Sequence, residues 1–208
     1  MKYIDVIKLS REEQTQKALD SLYSHLGFAL SRNNCAVFLD NPNQQTQVWT
    51  ESGIVSVPFN KEDTRSLKID GILFAPVDSH TAKPTELSPH EVDAYFLSLR
   101  LGIAWKIFDR VRTHLSARES HGKKTIQHQA LVLDLAGALS AFSTAELQMT
   151  EPDELSTETL AVLSSQVAKA SGEIARLMGG HAYLTEPQGT DELLFLARAL
   201  EDICEVKS

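Results

Sequence analysis

The sequence predicts a mainly α protein in which a four-helix bundle follows a small segment containing a helix and a sheet. The bundle is predicted because four segments after residue 86 repeat apolar residues at three- and four-residue steps, between residues typical of helix ends. The sheet is predicted because short β-prone runs separated by turn residues lie between residues 35 and 76. We therefore divide the chain into residues 1–85, the helix-plus-sheet segment, and residues 86–208, the helical bundle.

The first segment is expected to open with one helix. That helix would start near Arg11, because Ser10 and Glu13 match a capping box, and it would end at Asn33 and Asn34. Its apolar face would consist of Leu19, Leu22, Leu26 and Leu30. The predicted strands that follow are Cys35 to Leu39, Val48 to Thr50, Ile54 to Phe59 and Ile72 to Ala75.

The bundle opens with a long helix that ends near Ala117. Ser88 is its predicted N-cap, Pro89 stands in its first turn, and Glu91 follows three residues after the cap. Its apolar residues cover a wide surface: Val92, Tyr95, Phe96, Leu99, Ile103, Ile107, Val111 and Leu115. A helix apolar over so much of its circumference suggests packing on two sides, as in a bundle that also forms an oligomer interface.

Three further helices complete the predicted bundle. The second follows a polar bend from Arg118 to Gln129, in which Gly122 supplies the positive φ expected where the first helix stops. The third runs from about Ser156 to Met178, and a short fourth helix is capped by Thr190 or Asp191. The predicted buried residues of the second helix are Leu131, Leu135, Ala138, Leu139 and Phe142.

Composition excludes several function classes. The chain has 208 residues, of which 42% are apolar, and we see no apolar run near the roughly 18 residues that span a bilayer, so we expect no membrane role. A net charge of -8 argues against nucleic acid as a partner. The two cysteines, Cys35 and Cys204, match no metal-ligand spacing, and the N-terminus has no signal-peptide pattern. We expect a cytoplasmic protein without a metal site.

The bend resembles a turn of the acyl-CoA dehydrogenase family, Arg-Lys-Thr-Phe-Gly-Lys followed by a His-Gln pair. The residues in register are Arg118, Ser120, Gly122, Lys123, His128 and Gln129, and Gly102 falls where the family has a helix glycine. The resemblance implies that Arg118, Ser120, His128 and Gln129 contact the adenosine diphosphate half of FAD, often across a subunit interface. His121 replaces the family's Phe.

A second stretch, from Arg176 to Tyr183, resembles the family's Gln-x-x-Gly-Gly-x-Gly-Tyr element. Gly179, Gly180 and Tyr183 match, whereas Arg176 stands where the family has Gln and Ala182 stands where it has Gly. The resemblance implies that Arg176, Gly179 and Gly180 lie at the cofactor. The alternative is structural, because two glycines that end a helix need no ligand.

A third stretch bears on the chemistry. Gln188-Gly189-Thr190-Asp191 resembles the family's Glu-Gly-Thr-Ser, whose Glu usually removes the substrate's α-proton. The resemblance places Gly189 and Thr190 at the cofactor and gives Gln188 the position of the base. An amide cannot accept that proton, so Gln188 is expected to be inactive. Glu186 is a weaker candidate for a displaced base.

Two functions follow from the resemblance. The first is an acyl-CoA dehydrogenase-like protein without its own activity, acting as a homo-oligomer or with a full-length relative and contributing to a FAD site. The alternative is a shortened FAD-dependent acyl-CoA dehydrogenase or oxidase with a displaced base and an acyl-CoA ligand. The resemblance also implies that most of the family's flavin-holding β-domain is missing, and the helix-plus-sheet segment, residues 1–85, is a candidate remnant of it. The missing domain and Gln188 both favour the first function.

Overall fold

The computed structural model describes residues 1–39, 47–57, 67–69, 71–77, 85–150, 155–180 and 190–204. Its helices are α1 (Tyr3–Glu12), α2 (Thr15–Leu26), α3 (Pro89–Ala117), α4 (Gln129–Gln148), α5 (Thr157–Arg176) and α6 (Asp191–Cys204). Its strands are β1 (Ala29–Arg32), β2 (Cys35–Leu39), β3 (Gln47–Thr50), β4 (Gly53–Ser56), β5 (Leu67–Ile69), β6 (Ile72–Pro76), β7 (Glu119–Ser120) and β8 (Lys123–Lys124). The predicted mainly α chain with a small sheet is confirmed.

Helix α3 is the centre of the fold. Its predicted start is confirmed, because the Ser88 N–H donates to Glu91 Oε2 at 2.8 Å and the Glu91 N–H donates to Ser88 Oγ at 3.3 Å. Of its 29 residues, 17 are buried, and α1, α4, α5 and α6 all pack against it. The broad apolar surface of α3 is therefore covered within the chain. This corrects our reason for expecting an oligomer interface on this helix.

Gly102 allows α1 to cross α3 closely. A Cβ at Gly102 would lie 2.5 Å from Ser10 Cβ and 2.7 Å from the Ile7 carbonyl oxygen. At the same crossing, Ser10 Oγ donates to the Leu99 carbonyl oxygen at 3.0 Å. The expectation that Ser10 caps a helix is therefore wrong, because its side chain lies buried inside α1 and bonds to α3.

The single N-terminal helix predicted from Arg11 to Asn33 is also wrong, since α1, α2 and β1 cover this part of the chain. Gly27, at φ 82°, ends α2 in the left-handed conformation. Leu30 continues the leucine repeat of α2 in sequence but lies buried in β1. Asn33 and Asn34 have φ of 51° and 59°, as a tight hairpin turn between β1 and β2 requires.

The sheet has six described strands in the order β4-β3-β1-β2-β6-β5. The pair β1 and β3 is parallel and the other neighbours are antiparallel. The four predicted strands correspond to β2, β3, β4 and β6, although residues 58 and 59 of the third prediction lie outside the described residues. The strands β1 and β5 were not predicted.

The sheet and the bundle share one hydrophobic core. Trp49 Nε1 donates to the Leu87 carbonyl oxygen at 3.0 Å just before α3 begins, and Arg32 of β1 forms an ion pair with Asp93 of α3 at 2.9 Å. The phenol of Tyr23 on α2 donates to the Val37 carbonyl oxygen at 2.9 Å. The division of the chain into residues 1–85 and residues 86–208 stays a prediction.

The helices after α3 largely follow the predicted pattern. In α4, Leu135, Ala138 and Phe142 are buried, whereas Leu139 is 45% exposed, contrary to expectation. Ser156 caps α5 by accepting from the Thr159 N–H at 3.1 Å.

Helix α4 is long and apolar enough to cross a membrane, by length and composition only. An 18-residue window has a mean hydropathy of 1.4, and 22% of it is buried. One such helix is weak evidence for a membrane segment, because a core helix of a soluble protein passes the same test. Most of the surface of α4 nevertheless lies outside the core of this chain.

Candidate functional site

The bend between α3 and α4 is a β-hairpin. Helix α3 ends at Ala117 because Arg118 is extended, with φ -99° and ψ 148°. Strands β7 and β8 then pair through a turn formed by His121, at φ 52°, and Gly122, at φ 74°. Two successive positive φ angles are typical of a two-residue hairpin turn. The left-handed Gly122 therefore serves this hairpin, which corrects the expectation that it ends α3.

A short 3-10 turn, Thr125–Gln127, connects the hairpin to α4. The Thr125 N–H donates to the Arg118 carbonyl oxygen at 2.8 Å, which closes the base of the hairpin. His128 is the N-cap residue of α4 without a side-chain cap bond, and Gln129 is the exposed first residue of the helix. The predicted candidates Arg118, Ser120, His128 and Gln129 thus lie on one continuous hairpin and helix start.

Cationic and imidazole groups gather on this hairpin. Arg118, Lys123 and Lys124 are exposed to solvent. His114, from the last turn of α3, lies with Nε2 3.3 Å from Arg118 Nη1. His114 was not predicted, although its spacing of four residues before Arg118 on a helix would have placed the two together. The exposed carboxylate of Glu119 lies opposite Lys124 in the β7–β8 pair, so the hairpin carries three cations and one anion.

Two further histidines meet beside these cations. His121 Nδ1 lies 2.9 Å from Ser120 Oγ, and the rings of His121 and His128 approach edge to face with centroids 6.4 Å apart. His128 Nε2 is buried and has no hydrogen-bond partner among the described residues. A buried polar atom of this kind marks a place where an outside hydrogen-bonding group is favoured.

The second predicted element lies at the end of α5. Arg176 is its exposed last residue, and Gly179 has φ 55°. A Cβ at Gly179 or Gly180 would have no heavy atom within 4 Å, so intrachain packing does not require glycine at either position. Within the described part of the chain, no hydrogen bond joins Arg176, Gly179 or Gly180 to the hairpin, and their assignment to the cofactor stays a prediction.

Of the third predicted element only Thr190 is described. It is fully buried directly before α6, and its Oγ1 has no hydrogen-bond partner among the described residues. Gln188, Glu186 and Gly189 lie outside the described residues. Their assignments stay predictions.

Two small cavities lie away from the hairpin. One, of about 70 Å³, lies between α3, α5 and α6, where buried Arg100 pairs with Glu201 at 3.0 Å and Arg198 also lines the wall. The other, of about 200 Å³, lies between the β1–β2 and β3–β4 turns. Within the described ranges no group of three or more His, Cys, Asp or Glu side chains could hold a metal ion.

Comparison with solved structures identifies the fold. An acyl-CoA dehydrogenase from Slackia heliotrinireducens matches with a TM-score of 0.60 and 12% identity, over 97% of this chain and 75% of that chain. A glutaryl-CoA dehydrogenase from Mycobacterium smegmatis in complex with FADH2 matches with a TM-score of 0.54 and 12% identity, over 86% and 57%. This chain has the acyl-CoA dehydrogenase fold. The predicted family resemblance is therefore confirmed at the level of the fold.

The match extends beyond the helical bundle. A butyryl-CoA dehydrogenase from Megasphaera elsdenii matches with a TM-score of 0.52 and 12% identity, over 84% of this chain and 58% of that chain. A match over 97% of 208 residues cannot be confined to residues 86–208, so the shared fold includes much of the helix-plus-sheet segment. The chain spans less than two thirds of the glutaryl- and butyryl-CoA dehydrogenases. No model of a known protein family and no curated protein matches the sequence.

Proposed function

We propose that this chain is an acyl-CoA dehydrogenase-like protein without dehydrogenase activity of its own, which acts as a subunit of an oligomer and contributes to a FAD site. The partner in that oligomer is a second copy or a full-length relative. The β7–β8 hairpin is the observation that carries the proposal, because it presents the matching residues as an exposed cationic edge on an acyl-CoA dehydrogenase fold.

The hairpin residues suit the diphosphate end of FAD. Arg118 offers a planar fork of donors that fits phosphate oxygens, and Lys123 and Lys124 add two positive charges. His128 Nε2, which has no hydrogen-bond partner among the described residues, and the N–H groups in the first turn of α4 add hydrogen-bonding capacity beside them. These side chains would bind and orient the anionic end of the cofactor.

The flavin ring is the reacting end of the cofactor. When bound, FAD supplies the hydride acceptor for acyl-CoA dehydrogenation. The two cavities described here are smaller than the roughly 300–1,000 Å³ of ordinary ligand pockets, and both lie away from the hairpin. Within the described residues the hairpin supports diphosphate binding, and we propose that the ring is held with the help of a partner.

The lack of activity rests on Gln188. A carboxylate at the base position holds and releases a proton, whereas the Gln188 amide can only hydrogen bond to a substrate carbonyl. Losing general-base catalysis lowers the rate by roughly a hundred- to ten-thousandfold. The alternative, a shortened FAD-dependent dehydrogenase or oxidase, requires Glu186 as the base.

An ADP titration by calorimetry tests the hairpin assignment. Arg118→Gln should weaken ADP binding about tenfold, the value of one charge-assisted contact. Arg112→Gln is the matched control, because Arg112 is also an exposed arginine near the end of α3. Equal affinities for the wild type and Arg118→Gln, or no ADP binding by the wild type, would contradict the assignment.

Turnover assays with saturating FAD, a series of acyl-CoA thioesters and an artificial electron acceptor test the predicted inactivity. We expect no turnover above background from the wild type or from Gln188→Glu. Wild-type turnover that disappears in Glu186→Gln would establish the alternative function. Turnover by Gln188→Glu alone would show that the chain has a complete flavin pocket, contrary to the proposal.

A further inference from the structure

A polar cleft of about 200 Å³ lies at one edge of the sheet, between the β1–β2 turn and the β3–β4 turn. Strands β1 and β3 are parallel neighbours, with Leu30 paired to Trp49, so the chain leaves both strands at the same edge. The two turns that follow therefore lie side by side, with a crevice between them. In open α/β sheets, the crevice outside the carboxyl ends of parallel strands is the usual place for a ligand. This edge of the sheet is therefore a candidate ligand site separate from the β7–β8 hairpin.

Three of the residues that line the cleft are buried, and hydrogen bonds hold them in place. Ser31 is 2% exposed, and its Oγ donates to a carbonyl oxygen of the neighbouring strand β3. Thr50 is 9% exposed, and its Oγ1 donates to the Gly53 carbonyl oxygen at 2.7 Å. Buried Val77 donates its N–H to the Asn34 carbonyl oxygen at 2.8 Å. The cleft is therefore formed before a ligand arrives, which lowers the ordering cost of binding.

The exposed lining residues belong to the two turns. They are Asn33, Asn34, Glu51 and Ser52. Asn33 and Asn34 have φ of 51° and 59°, a left-handed conformation that asparagine adopts more readily than most residues. This backbone conformation fixes two carboxamides at the cleft, opposite the carboxylate and hydroxyl of the other turn.

Electrostatics disfavour an anion in the cleft. The Arg32 guanidinium, whose side chain is 14% exposed, forms ion pairs with Glu51 and with Asp93 of α3, the latter at 2.9 Å. One cation thus faces two carboxylates. An added phosphate or carboxylate would meet a guanidinium that is already paired and a site with excess negative charge. The cleft is therefore unlike the hairpin, whose exposed charges are mainly positive.

The polar lining matches a neutral ligand that carries several hydroxyl groups. Hydroxyl and carboxamide side chains both donate and accept hydrogen bonds, as the hydroxyls of a polyol do. The cleft provides such side chains at five positions: Ser31, Asn33, Asn34, Thr50 and Ser52. The two carboxylate oxygens of Glu51 can accept short, strong bonds from neighbouring hydroxyls of one ligand. Val77 offers an apolar contact to the C–H groups of the ligand.

We propose that this cleft binds a small neutral polyol of the size of a monosaccharide, with Glu51 as its charged hydrogen-bond acceptor. The volume of about 200 Å³ is below the roughly 300–1,000 Å³ of pockets for drug-sized ligands, which limits the ligand to about one sugar ring. About a dozen non-hydrogen atoms at an ordinary ligand efficiency give a Kd of about 2 mM. The inference goes beyond the proposed FAD site and does not depend on it.

Saturation-transfer NMR tests the ligand class, with each probe titrated to about 20 mM, roughly ten times the expected Kd. The neutral probes are ribose, glucose, mannose and myo-inositol, and the charged probes are choline and citrate. We expect at least one neutral probe to bind more tightly than both charged probes. No binding by any neutral probe would overturn the proposal. Choline or citrate binding at least as tightly as the best neutral probe would also overturn it.

Two substitutions test whether the polyol lies in the cleft. Glu51→Gln should weaken binding of the best neutral probe about fivefold, because its bonds to hydroxyls lose their charge. Asn34→Gly should weaken it about threefold, because it removes a carboxamide while glycine keeps the left-handed backbone. This second variant keeps the test valid if Glu51→Gln does not fold.

Glu13→Gln is the matched control. Glu13 is also an exposed carboxylate in an ion pair, with Lys17 at 2.8 Å, but it lies at the end of α1 and does not line the cleft. This variant should bind the probe as the wild type does. Wild-type affinity in either cleft variant, or equal losses in Glu51→Gln and Glu13→Gln, would overturn the proposal.

Discussion

The close crossing of α1 over α3 predicts that a larger residue at Gly102 lowers the stability of the fold. Replacing this glycine by alanine would place a Cβ 2.5 Å from Ser10 Cβ and 2.7 Å from the Ile7 carbonyl oxygen. The side-chain atom and the backbone oxygen both belong to α1, so relief requires movement of the helix rather than rotation of a side chain. Gly102→Ala should therefore destabilise the fold.

The magnitude follows from opposing effects. Alanine gains about 1 kcal/mol over glycine in a helix, and overpacking a tight core contact costs roughly 1–3 kcal/mol. Moving α1 also weakens the bond from Ser10 Oγ to the Leu99 carbonyl oxygen, worth about 1 kcal/mol. The net loss should be about 2 kcal/mol in the free energy of unfolding. For a chain of this size that lowers Tm by about 4 to 8 °C.

Urea unfolding monitored by circular dichroism at 1 µM protein measures this difference, with Gly137→Ala as the matched control. Gly137 is also a helical glycine, but its Cβ would meet nothing within 4 Å, so alanine there should stabilise the fold by about 0.5–1 kcal/mol. Adding Ser10→Gly to Gly102→Ala should show a favourable coupling energy, because it removes one of the two close contacts. If Gly102→Ala equals the wild type in stability, the close helix crossing is refuted.

Three further predictions concern the core and the thiol. Ser88→Ala should lower the free energy of unfolding by about 1 kcal/mol, measured in urea, because it removes the capping bond at the start of α3. Arg100→Ala should cost about 3 kcal/mol, since it leaves Glu201 without its ion-pair partner, and the double variant Arg100→Met with Glu201→Leu should recover most of that loss. Burial raises the pKa of the Cys35 thiol, so less thiolate is present at pH 8 than in free cysteine. Alkylation by iodoacetamide in a Cys204→Ser chain should accordingly be slower than that of free cysteine and should gain rate at higher pH; equal rates at pH 8 would contradict this prediction.

The start of α3 could be predicted from the sequence because every signal there is local. Ser88, Pro89 and Glu91 lie within one turn, and the hydrogen bonds between Ser88 and Glu91 need no other part of the chain. The apparent capping box at Ser10 failed for the opposite reason. Its side chain bonds to Leu99, 89 residues away, and no local pattern indicates a partner at that distance.

In the candidate site, too, some features could be predicted from the sequence and others could not. The positions of Arg118, Ser120 and Gln129 follow from sequence spacing, and a left-handed Gly122 was expected. The hairpin itself was not expected, because strands of two residues are too short to leave a periodic pattern. The contact between His121 and His128 depends on that hairpin, so it became visible only once the chain was folded.

Periodicity alone did not predict which side of helix α4 is buried. Leu131, Leu135, Leu139 and Phe142 suggested one buried face, but apolar and small residues occur around most of its circumference, so the pattern does not say which side faces the core. Packing against α3 and α5 selects the side of Leu135 and Phe142 and leaves Leu133 and Leu147 in solvent.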